Sequence, residues 1–365
     1  MHRDEIPTPA LLLDLQLFEK NITALAQHCK WHRCAYRPHV KTHKCPDIAK
    51  RQIAAGAVGV SVATLTEAEA MVRAGINGVL LTSPIIEPAK IANLMKLVSR
   101  QRDMLVTVGH PLQVERLAAA AESLEIPVNV LIDLDVGDKR TGILPELAEG
   151  FAKYISKFPL LKLRGLQAYA GHASHVVGFK ARTNATRTAM EKAVTVREEL
   201  ERAGFPLGIL TCGSTGTFNI DSSINGVTEI QPGSYVFMDL DYRRIGGQND
   251  TTTSFDDFAM SLTVLTTVVS TTYSQRVTVD AGTKALATDV PIAPEVKELT
   301  GLTYRRAGDE FGIVSVAEGG KRPSLGERLE LYVPHCDPTV NLYDKIYAMR
   351  RDEVEAIWPV VRGYG

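Results

Sequence analysis

No run of apolar residues in this sequence is long enough to cross a bilayer, and its opening, MHRDEIPTPALLLD, lacks the charged-then-apolar pattern of an export leader. Neither a membrane protein nor a secreted one is expected. Net charge is almost absent: 41 Lys and Arg stand against 42 Asp and Glu, leaving −1. Without a basic patch interleaved with aromatics, nucleic acid and acidic membrane are not expected partners. Cysteine is scarce. Cys29, Cys34, Cys45, Cys212 and Cys336 are odd in number and have no zinc-ribbon spacing. Reduced thiols in a cytoplasmic protein account for them. No G-x-G-x-x-G follows the first strand-like segment, which removes the main mark of a dinucleotide-binding open sheet.

What is present is a regular alternation. A chain of 365 residues exceeds the range in which one hydrophobic core keeps growing, so two domains are expected. PALLLDL reads as an extended entry with Asp14 as a helix cap, followed by Leu17, Phe18, Ile22, Leu25 and Ala26 at helical spacing. Helix-like segments follow near 46–55, 66–75, 87–99, 112–124, 145–157 and 181–203. Between them lie compact apolar runs: 57–63, 78–82, 104–108, 128–135, 161–171, 208–213 and 227–236. Such runs suit parallel strands buried on both faces. About eight strands separated by helices predict a (β/α)8 barrel, with a doubly wound open sheet as the alternative. Beyond residue 250 the chain turns Thr- and Val-rich without helical period, and GERLELYVPH (326–335) alternates. These features predict a C-terminal antiparallel β-domain, with the division at 8–248 and 249–365 and residues 1–7 packing on the second part.

The stretch RPHVKTHK, residues 37–44, puts three basic groups at alternate positions. Read as a strand, it turns His39, Lys41 and His43 to one side. Flanking imidazoles would favour a neutral, nucleophilic Lys41 amine; the competing reading is a solvated basic strand end. In a barrel, reacting groups gather at the C-terminal strand ends. Those ends carry Lys41, Arg140, Tyr169, His172 and His175, then the loops Gly213, Ser214, Thr215, Gly216 and Gly233, Ser234, Tyr235. Small hydroxyl- and glycine-rich loops after strands seven and eight suit a phosphate. With a lysine on strand one, pyridoxal phosphate fits, because it needs an amine for its aldehyde and a cradle for its phosphate. In HCDPTVN an extended backbone would point His335 and Asp337 the same way and Cys336 the other, giving half of a metal shell.

RPHVKTHK, CGSTGT, QPGSYVF, the start TPALLLDLQLFEKNI and the ending HCDPTVNLYD…WPVVRG together resemble the D-threonine aldolase and D-serine dehydratase family, over essentially the whole chain. The resemblance implies the alanine-racemase-type fold, with Lys41 carrying pyridoxal phosphate and Tyr169 and Arg140 contacting it. It further implies His175 as general base near the substrate's β-hydroxyl, with His172 competing for that role. Dehydratase members carry a thiolate where Asp337 stands. A carboxylate there suits manganese or magnesium better than zinc and matches the aldolase branch. Ala63 and Phe311 depart from relatives, which tend to carry a polar residue and a His there. The implied activity is metal-dependent retro-aldol cleavage of a D-β-hydroxy-α-amino acid to glycine and an aldehyde, in a homodimer. Alternatives are a dehydratase giving a 2-oxo acid and ammonia, and a non-catalytic pyridoxal-phosphate carrier.

Overall fold

The computed structural model describes residues 1–248 and 254–363. The start of the Thr-rich stretch, 251–253, and the last two residues lie outside the described residues. Strand β1, Ala10–Asp14, opens the regular structure, and Asp14 caps the next helix by accepting the amides of Gln16 and Leu17. The chain divides into two compact units: residues 24–233, and residues 1–23, 234–247 and 254–362.

The first unit is the barrel. Among the described residues it has eight parallel strands: β2 (Ala35–Tyr36), β3 (Val60–Val62), β4 (Val79–Leu81), β5 (Leu105–Val108), β6 (Val128–Asp133), β7 (Leu161–Ala168), β8 (Ile209–Cys212) and β9 (Glu229–Ile230). Their spatial order is β2-β9-β8-β7-β6-β5-β4-β3. The ring closes between β2 and β3 through backbone bonds from Val58 to Tyr36 (3.0 Å) and Ser61 to Pro38 (2.9 Å), with a His39–Ser61 bridge. Outward-facing Val60, Val62, Val79, Leu81, Val106, Val130 and Ile132 share one core with helix residues such as Met71, Leu94, Leu117 and Phe151. Covering the strands on both faces is why they read as unbroken apolar runs. Inside the barrel, Leu80, Leu105 and Leu131 form their own cluster with Ile209 against it.

Gly165 shows how tightly β7 meets β8. A Cβ there would lie 1.9 Å from the Ile209 carbonyl oxygen, beside an irregularity in the β6–β7 register. Gly165→Ala therefore destabilises the chain by about 3 kcal/mol, the upper end of overpacking costs. Denaturant unfolding checks this, and an unchanged midpoint would count against so close an approach.

The second unit is mostly antiparallel and has nine strands among its described residues. To β1 it adds β10 (Leu262–Ser270), β11 (Arg276–Val279), β12 (Glu295–Val296), β13 (Leu302–Arg306), β14 (Gly312–Val316), β15 (Arg328–Tyr332), β16 (Lys345–Arg350) and β17 (Glu353–Pro359). Their order is β13-β14-β11-β10-β1-β16-β17, with β15 pairing β10 and β12. Because β1 pairs with β10 and β16, the N-terminal strand belongs to this unit. The boundaries expected at residues 8 and 248 accordingly fall at 24 and 233. Periodicity marks a strand without naming its sheet, which is why the first strand was assigned to the barrel. All five cysteines are buried and unbridged, and no described helix is long and apolar enough to cross a membrane.

Candidate active site

Strand pleating carries the apolar plug of the barrel into a polar rim. Two residues beyond Leu80, Leu105, Leu131, Gly165 and Ile209, on the same face of each strand, stand Thr82, Thr107, Asp133, Gln167 and Thr211. Gln167 Nε2 donates to Asp133 Oδ1 and to the Thr82 carbonyl, both at 3.0 Å. Gln231 Nε2 donates to Thr211 Oγ1 at 2.8 Å. Burial raises the Asp133 carboxyl above its ordinary range, against the lowering by Gln167, Thr141 and Arg140. None of these rim residues was singled out from the sequence. Their signal was the same short pattern repeated on five strands, apolar, apolar, polar, in LLT, LVT, LID, GLQ and ILT.

Lys41 lies on this rim, on a different backbone from the one expected. Strand β2 ends at Tyr36, and Val40–Thr42 form a 3-10 turn capped by His39, whose Nδ1 accepts the Lys41 amide at 3.4 Å. At three residues per turn, positions i and i+2 do not share a face. Lys41 is exposed. His43, by contrast, is fully buried, pairing with Gln52 at 3.2 Å and accepting the Cys45 amide at 3.0 Å. The shared basic face expected of His39, Lys41 and His43 is therefore corrected: His43 is structural. His39 faces Thr82, Nε2 to Oγ1 at 3.2 Å, and its amide donates to Pro232. Gly233 closes the other side of this turn, where a Cβ would lie 2.6 Å from Thr42 Oγ1.

The two loops after β6 and β7 meet. Arg140, exposed, sits 3.5 Å from Asp138 and 5.2 Å over the Tyr169 ring. Tyr169 Oη lies 3.4 Å from Ser174 Oγ. The His172 amide donates to Asp138 at 3.1 Å, while His175, also exposed, stands three residues on.

The loop after β8 is buried throughout residues 213–217. Gly213 adopts φ +83°, and Thr217 Oγ1 contacts both the Ser214 amide (3.1 Å) and its hydroxyl (3.0 Å). Below it, Asp221 is fully enclosed and its carboxyl is pushed up to about 7 by burial. Gly233 belongs to the barrel unit, whereas Ser234 starts a 3-10 turn in the second, and Tyr235 is wholly buried with its ring 5.5 Å from Phe258. Pyridoxal phosphate fits the barrel unit: an exposed amine, a buried left-handed glycine loop, and buried Thr42 Oγ1 and Gln167 Oε1 without hydrogen-bond partners.

In the second unit His335 caps a short helix, Cys336–Val340. The extended HCD geometry is thus corrected, since Cys336 enters helical backbone at once. Cys336 is fully buried, and His335 and Asp337 are half-buried. His335 Nδ1 pairs with Asp289 Oδ2 at 2.6 Å, and the Cys336 amide donates to Asp239 at 2.9 Å. Burial lowers the His335 imidazole, but Asp337, Asp239 and Asp289 outweigh it and leave the group raised. Burial pushes the Cys336 thiol well up. Among the described residues no group of three or more His, Cys, Asp or Glu side chains is placed to hold a metal. The donor types here, one imidazole amid carboxylates, are chemistry that fits a hard divalent ion. Asp289 and Asp239, 46 and 96 positions from His335 in sequence, gave no local signal of this.

Residues 13–241 match the family described as "Alanine racemase, N-terminal domain", and residues 261–349 match "Putative serine dehydratase domain". The chain is 36% identical over 363 residues to a D-threonine aldolase from Arthrobacter sp., covering 98% of this chain and 93% of that protein. It is 34% identical over 368 residues to a 3-hydroxy-D-aspartate aldolase from Paracoccus denitrificans (strain Pd 1222), covering 100% and 94%. The solved structure of D-threonine aldolase from Filomicrobium marinum aligns with a TM-score of 0.91 at 33% identity, covering 98% of this chain and 95% of that one. With both units matched and these relatives covered nearly end to end, the chain belongs to the aldolase branch of the D-threonine aldolase and D-serine dehydratase family of pyridoxal-phosphate enzymes, and it is a lyase.

Proposed function

We propose that this lyase cleaves D-β-hydroxy-α-amino acids between Cα and Cβ, giving glycine and an aldehyde, with a divalent metal ion as well as pyridoxal phosphate. The observation that carries the reading is the exposed amine of Lys41 on the turn over the Thr82–Asp133–Gln167 rim. D-Threonine and 3-hydroxy-D-aspartate, named for the two aldolase relatives, share a β-hydroxyl on a D-configured amino acid. Lys41 would hold the cofactor's aldehyde, the amides of 213–217 with Gly233 would take its phosphate, and Arg140 with Tyr169 would contact it. When bound, the cofactor supplies a sink for the electron pair left as Cα–Cβ breaks, and the metal a Lewis acid for the β-oxygen. His335 and Asp337 hold that ion.

His175 takes the β-hydroxyl proton. Asp133 and Gln167 orient groups at the rim, where a low-dielectric setting strengthens each hydrogen bond.

The serine-dehydratase match over 261–349 favours one competitor, loss of the β-oxygen to leave a 2-oxo acid and ammonia. Incubation with D-threonine and manganese separates the two. We expect glycine and acetaldehyde in equal amounts; 2-oxobutanoate and ammonia would overturn the reading.

A further inference from the structure

Among the described residues, Arg182 is the largest fully enclosed side chain, with 0% of its surface exposed. A guanidinium is costly to bury unless its donors are met. Its Nε donates to the Gly216 carbonyl and its Nη1 to the Val176 carbonyl, each at 2.8 Å. These carbonyls belong to separate loops. Val176 follows His175 directly, and Gly216 lies in the buried 213–217 loop after β8. Arg182 itself sits in the first turn of the helix Phe179–Arg202, its amide bonded to Gly178 and its guanidinium carbon 5.6 Å from the Phe179 ring.

We propose that Arg182 is a positioning residue that ties the His175 loop to the phosphate loop, so that an anion bound at 213–217 also orders residues 172–178. The proposal rests on the reading of 213–217 as the phosphate site. The planar fork of arginine reaches both carbonyls at once, whereas the single ammonium of lysine does not reproduce that geometry. Fixing the Gly216 carbonyl sets a peptide plane where glycine leaves the backbone least constrained. Fixing the Val176 carbonyl does the same beside the proposed base. A rigid helix carries both restraints, so neither loop moves alone.

The test has two arms on the full chain. In the first, cofactor-stripped wild type, Arg182→Lys and Arg182→Met are titrated with pyridoxal phosphate and with pyridoxal. Losing the tether weakens the phosphorylated ligand about tenfold to hundredfold, with pyridoxal changed by less than about threefold and lysine recovering part of the loss. Equal losses for both ligands would mark a merely structural arginine and overturn the proposal. The second arm needs no variant and so survives misfolding of Arg182→Met. Amide hydrogen exchange of stripped wild type is followed on adding inorganic phosphate. Protection should rise at 213–217 and at 172–178 together. Protection at 213–217 alone overturns the tether and leaves the phosphate reading standing; protection at neither overturns both.

Discussion

Lys41→Ala abolishes aldehyde release, by on the order of 10⁴-fold or more, and the purified variant lacks the visible absorbance of the wild type. The size follows from what the side chain does in the proposed reaction. Its amine would hold the cofactor's aldehyde, so its loss removes a nucleophile rather than a hydrogen bond. Lys44 is the control. Its Nζ donates to the Lys41 carbonyl at 2.6 Å, and it occupies a left-handed backbone position at φ +48°. Lys44→Gln costs one bond of about 1 kcal/mol and keeps the visible band. A Lys41→Ala protein that is coloured and turns over at the wild-type rate would remove the basis of the proposed chemistry.

Stripping the metal separates the second unit's contribution from the first. Exhaustive chelation, or Asp337→Ala, should reduce carbon–carbon cleavage roughly a thousandfold, about 4 kcal/mol of transition-state stabilisation, while the visible band stays. Excess manganese restores the chelated wild type fully and Asp337→Ala only in part, because the variant has lost a ligand. Cys336→Ser discriminates between the two candidate donors. The thiol is fully buried and lies 3.8 Å from Asp337 Oδ1, so its replacement should cost far less than Asp337→Ala. Cleavage unchanged in chelator, or a Cys336→Ser variant as impaired as Asp337→Ala, would refute the assignment of His335 and Asp337.

The same sequence was legible in some places and opaque in others, for physical reasons. Helical and apolar periods marked most barrel strands and helices, because a parallel sheet covered on both faces leaves a local trace in composition, but not the turn at Val40–Thr42 or the short helix Phe218–Asp221. They could not place β1, whose pairing with β10 and β16 depends on residues some 250 to 340 positions away. Lys41 stands on a different backbone from the one its sequence pattern implies. Strand alternation was assumed, and a 3-10 turn delivered an exposed amine beside a buried His43.

By itself, the amino-acid order determined the barrel, the β-domain and the glycine-containing loops after the last two barrel strands. Each is written in neighbours within a few positions of one another. Tertiary structure alone decided which polar groups share the barrel rim, that Asp289 meets His335, and that Arg182 bridges Val176 and Gly216. Those partners lie between 6 and 85 positions apart and on different elements, so only closure of the barrel and pairing of the second sheet bring their donors to their acceptors.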